Sequence, residues 1–149
     1  MLRPAGMRPP TLRLKPRFRH TLYGAFWTLF ITGGAWLAAD QLKESANGDL
    51  WQEAGSYLLT LHGGAAMVSL MLLGALVPLH VAPGWRSRRN RLAGAAMVMF
   101  NAALVMTAFG LYYAGSELLR PWISDIHIGF GLSLPALFLI HVVAGRRRR

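Results

Sequence analysis

The sequence predicts an all-α membrane protein, a bundle of four transmembrane helices with both termini on the cytoplasmic side. Three observations lead there. Hydrophobic residues make up 54% of the 149 positions and charged residues only 15%. Mean hydropathy is +0.35. The few charges gather in short segments between long uncharged stretches, whereas a soluble domain of this size mixes them through its surface.

The elements follow in chain order. Residues 1–19 hold six basic side chains and four prolines and are expected to be extended or flexible. The first apolar stretch, 21–39, has the basic flank of a secretory signal and ends in Ala38-Ala39. It is longer than a usual signal core, however, and Leu37 suits cleavage poorly, so it reads as a retained span. An external segment, 40–55, contains the turn signal Asn47-Gly48. Further apolar stretches cover 56–81, 92–114 and 122–144. The four run about 19 to 26 residues, against roughly 20 needed to cross the hydrocarbon core. Beyond Asp125, at the edge of the last stretch, no Asp, Glu, Lys or Arg stands inside them. They lack the alternation of barrel strands, and open strands cannot span lipid, so each is read as a helix. Trp27, Trp51 and Trp122 suit interfacial anchors, and Asn101, mid-span, is expected to hydrogen-bond between helices. The domain reading is a basic segment 1–19, a four-helix transmembrane domain 20–145 and a basic tail 146–149.

The loops set the direction. Arg3, Arg8, Arg13, Lys15, Arg17, Arg19, Arg86, Arg88, Arg89, Arg91 and the arginines 146–149 put 14 of the 16 basic residues on one side. Lys43, Arg120 and all six acidic residues, Asp40, Glu44, Asp49, Glu53, Glu117 and Asp125, fall on the other. The positive-inside rule then puts both termini in the cytoplasm. The net charge of +10 is explained by this flanking pattern and not by a basic face for nucleic acid, which is not expected as a partner. The chain has no cysteine, which removes disulfides, iron–sulfur ligation and covalent c-type haem attachment.

The five histidines, His20, His62, His80, His127 and His141, all stand within or at the edge of a span, where ionisable groups are costly and mark function. By topology His62 and His127 lie toward the outer leaflet, and His20, His80 and His141 toward the inner one. His127 and His141 are 14 residues apart, about 21 Å along a helix and about 40° from a shared face. Two such histidines suit axial ligation of two haem b groups at different depths, each needing a second histidine from another helix. His62 matches His127. For the inner site His20 and His80 compete. His20 is preferred, because His80 lies about 27 Å from His62 and between Pro78 and Pro83, where the helix is expected to end. Gly24, Gly63, Gly64, Ala66, Gly131 and Gly145 lie near these histidines and leave room for a flat macrocycle, although small residues also serve close helix packing. Arg17 and Arg19 inside and Arg120 outside are candidate partners for haem propionates.

These residues carry a resemblance. The last helix has His127, Gly129, Gly131, Leu139-Ile140-His141-Val142 and Gly145 before a basic end. With Arg19-His20 and Leu61-His62-Gly63, this resembles the prokaryotic cytochrome b561 family and the di-haem cytochrome b subunits of hydrogenases and formate dehydrogenases, over residues 17–149. Thr21 stands where the family usually has Trp. The resemblance implies axial pairs His20–His141 and His62–His127, and a place in the bacterial inner membrane. It further implies electron transfer between a quinone/quinol pool and a periplasmic cytochrome or catalytic redox subunit. The chain would work alone, as a homodimer or in a larger respiratory complex, as an electron-transfer subunit and not a complete enzyme. His80 is a candidate proton acceptor at the cytoplasmic surface. The competing expectations are a non-haem anchor or scaffold subunit and a proton-coupled transporter with a histidine relay.

Overall fold

A computed structural model describes residues 14–88 and 90–147. Among them every regular element is helical, and four helices are long and apolar enough to cross a membrane. Helix α1 spans Pro16–Leu42, with proline at its first position, where the missing N–H costs nothing. Of the segment expected to be flexible, Pro16 to Arg19 therefore belong to α1, and residues 1–13 lie outside the described residues. A turn at 43–47 follows, beside an exposed Lys43–Asp40 ion pair of 2.8 Å whose hydrogen bond raises the lysine pKa.

Helix α2, Gly48–Leu76, starts with Asp49 in its first turn, where the helix dipole favours an anion. It does not stop at the prolines. Residues Val77–Val81 form a π turn and α3, Ala82–Arg86, continues from it, giving one helical rod over Gly48–Arg86. Pro78 has no N–H to return to the Gly74 carbonyl. The Val77 N–H takes that carbonyl instead, and the Ala82 N–H reaches five residues back to Val77. The expected helix end is thereby corrected: the wide turn absorbs the lost hydrogen bond without breaking the rod.

Helices on either side of the connection from α3 to the next helix are tied together. Arg91 donates from Nε and a terminal nitrogen to the Trp85 carbonyl at 3.0 and 2.9 Å and lies over the Trp85 ring. Arg88 and Asn90 are left-handed, with φ 57° and 52°, a conformation asparagine tolerates better than arginine. Helix α4, Arg91–Tyr113, and helix α5, Leu119–Arg147 with Pro135 inside, complete the bundle.

Packing pairs α1 with α2 and α4 with α5. Glycines let these pairs close: Gly55 faces Trp36 and Ala39, and a Cβ on Gly110 would stand 3.2 Å from Ile123 Cγ2. The two hairpins meet through side chains, with Phe138 of α5 against Tyr23 and Phe26 of α1. Among the described residues only Ala39 and Leu134 are buried hydrophobic residues, while Leu92 is 87% and Met71 75% exposed. Such outward apolar faces suit lipid and would be untenable in water. Short turns make successive helices antiparallel, so the start of α1, the turn at 87–90 and the end of α5 share one end. We call this the basic end and the opposite one the acidic end.

Candidate functional site

The helices deliver four of the five histidines to the seam between the hairpins. Near the acidic end, His62 of α2 faces His127 of α5 with ring centroids 6.3 Å apart and planes crossed at 78°. Near the basic end, His80 of the π turn faces His141 of α5 at 6.2 Å and 75°. Both pairs thus join the same two helices at two levels. On α5 the levels are 14 residues apart, about 21 Å.

The outer pair agrees with the matching of His62 and His127. At the inner level the ring opposite His141 belongs to His80, where sequence reasoning preferred His20. His62 and His80 both meet rings of α5, so they share the face of the α2–α3 rod that looks onto it. The π turn has more residues per turn than an α-helix, and therefore less rise per residue, which draws His80 back toward the level of His141. His20 is exposed in the second turn of α1, and at this depth α1 approaches α5 through Tyr23 and Phe26.

The two levels are supported differently. Thr32 Oγ1 of α1 lies 3.0 Å from His62 Nδ1, and Thr107 Oγ1 of α4 lies 2.9 Å from His127 Nδ1. Gly33 makes the first contact accessible, since a Cβ there would stand 3.2 Å from His62 Cε1. At the basic end, His80 Nδ1 and His141 Nδ1 are buried without a hydrogen-bond partner. His141 is instead held through its backbone, whose carbonyl accepts from Asn90 Nδ2 at 3.2 Å. Between the levels, Ser69 Oγ is also buried without a partner. It follows His62 by seven residues, on the same helix face, and Leu134 stands midway between His127 and His141.

Two imidazoles that bind one metal ion from opposite sides through Nε2, at about 2 Å each, have ring centres roughly 6 Å apart. An edge-on contact between two aromatic rings covers about 4.5–7 Å, so distance alone does not separate the arrangements. The same spacing and crossing angle recur at two levels on the same helices. Among the described residues, no three His, Cys, Asp or Glu side chains converge on a point. Each site therefore offers two nitrogens and no carboxylate.

The glycines divide. A Cβ on Gly24, Gly64 or Gly129 would meet nothing within 4 Å, and one on Gly131 only Leu104 at 4.0 Å, so helix packing does not require glycine there. Gly63 faces the Tyr112 hydroxyl and Gly145 the Asn90 amide. Arg17 and Arg120 are exposed and Arg19 is half-buried. Asn101 donates to the Met97 carbonyl one turn back in its own helix at 2.8 Å, where a bond between helices was expected. Sequence reasoning also missed Thr32, Thr107 and Gly33, for which a threonine or glycine facing a histidine across a hairpin is the only signal. No protein-family model matches the chain, and no curated protein or solved structure matches it.

Proposed function

We propose that this chain is a membrane di-haem b-type cytochrome that passes electrons across the bilayer. One observation carries the reading: two crossed histidine pairs, at 6.3 and 6.2 Å, stand one above the other between the same two helices. His62 and His127 would hold one haem, and His80 and His141 the other. Haem held by these residues would supply reversible one-electron chemistry. The chain's part is to fix the ligand rings, keep water out with its apolar helices and set the surrounding charge. Arg17 and Arg19 at the basic end, and Arg120 at the acidic end, are the candidate cations for anionic propionates.

The charge asymmetry supports a basic end in the cytoplasm of a bacterial inner membrane. Two centres about 21 Å apart along α5 suit exchange between a quinone/quinol pool and a periplasmic cytochrome or catalytic redox subunit. The chain would act as a homodimer or within a larger respiratory complex that supplies that partner, and the resemblance to the cytochrome b561 family points the same way.

The test is a dithionite-reduced minus oxidised visible spectrum of the purified protein, with pyridine haemochrome quantification. About two b-type haems per chain are expected. A second reading has its own support, because His80 and His141 each bury an unpartnered Nδ1, as a proton relay in a transporter would. A colourless protein from haem-replete cells would remove the cytochrome reading and leave the relay and a scaffold subunit, which proton-flux assays in vesicles separate.

A further inference from the structure

We propose that Thr32 and Thr107 are positioning residues. They fix His62 and His127 with the proton on Nδ1, leave Nε2 of each ring as the nitrogen free to ligate, and make the acidic-end site the more electron-rich of the two. The last part rests on the di-haem reading; the first two do not.

The argument begins with the hydroxyl proton, of which each threonine has one. Thr32 Oγ1 lies 2.6 Å from the Thr28 carbonyl oxygen, and Thr107 Oγ1 lies 2.7 Å from the Ala103 carbonyl oxygen. Two oxygens this close share a proton, and a carbonyl has none to give. Each hydroxyl therefore donates back along its own helix, and only its lone pairs remain for the histidine. The contacts of 3.0 and 2.9 Å to Nδ1 are then made by Nδ1–H donating to Oγ1. A neutral imidazole with its proton on Nδ1 carries its lone pair on Nε2.

The same device occurs twice, from α1 onto α2 and from α4 onto α5, which makes it a feature of both hairpins. At the basic end it is absent: His80 Nδ1 and His141 Nδ1 have no partner. A hydrogen bond accepted from the far nitrogen of a ligating histidine makes that ligand more basic and favours the more oxidised metal. Two such bonds at one site and none at the other lower the potential of the acidic-end centre alone.

The test uses the full-length protein, labelled with 15N at histidine and kept reduced so that any low-spin iron is diamagnetic. In the wild type, His62 and His127, assigned through His62→Asn and His127→Asn, are expected to carry Nδ1–H. A proton on Nε2 of both rings would overturn the proposal whether or not haem is bound. For the haem-loaded protein, redox titration of Thr32→Val with Thr107→Val is expected to raise one midpoint and leave the other. Thr32→Ser with Thr107→Ser is expected to keep both near the wild-type values. Midpoints that both stay, or that move together, with two haems retained would overturn the electronic part. Wild-type protein that binds no haem defeats the cytochrome reading and the electronic part, and the NMR result then decides the positioning role alone.

Discussion

The acidic-end and basic-end histidine pairs reach nearly the same spacing and crossing angle by different means. At the acidic end the backbone is regular, and side chains do the aligning: two threonines meet the rings, and a glycine clears the approach to one of them. At the basic end the backbone itself is altered. A π turn around Pro78 carries His80, and Asn90 grips the His141 carbonyl while both ring Nδ1 atoms stay unpartnered. Ring separation is thus set by how α2 and α5 stand, and the remaining shell decides how firmly each ring is oriented. One end should respond to side-chain changes on α1 and α4, and the other to changes in the turn between α3 and α4.

The largest expected effect breaks the pairs one at a time. His62→Ala or His127→Ala should remove the acidic-end haem, and His80→Ala or His141→Ala the basic-end haem, each leaving about one haem per chain by pyridine haemochrome. His20→Ala should keep two. The reverse result for His20 and His80 would return the inner ligand to α1 and dissolve the contrast between the ends.

A smaller effect separates the two kinds of glycine. Gly33→Ala puts a methyl 3.2 Å from His62 Cε1, so the ring must yield, at a cost of about 1 kcal/mol if the site repacks poorly. Gly64→Ala meets nothing and should leave haem content and thermal stability unchanged. Equal behaviour of the two variants would mean that α1 does not orient His62. Smallest is Asn90→Ala, which removes one hydrogen bond onto α5, worth about 0.5–1.5 kcal/mol. It should lower the unfolding temperature modestly and loosen the basic-end site before the acidic-end one. Loosening that begins at the acidic end would contradict the division of labour.

The four helices were legible because bilayer thickness and the exclusion of charge act on whole segments, and composition records both. The acidic-end pair was legible because His62 and His127 lie at similar depths in parallel spans. The placement of His80 beside His141 was not legible, for a definite reason. A proline forbids one i→i−4 bond, and the sequence does not say whether the chain answers by ending the helix or by widening one turn. The whole number of turns between His62 and His80 favoured a shared face, but a comparison of lengths alone, 27 against 21 Å along ideal helices, counted against it. Thr32, Thr107 and Gly33 were not legible. Each is an ordinary residue for a packed membrane helix, and its meaning depends on which helix lies opposite.

The most direct measurement is electron paramagnetic resonance of the oxidised protein with spin quantification. On the proposed reading, iron held between histidines whose planes cross at 78° and 75° should give about two low-spin ferric signals per chain. Both should be of the strongly anisotropic type that near-perpendicular imidazoles produce. High-spin iron, a single centre or no ferric signal would contradict two bis-histidine sites between the hairpins.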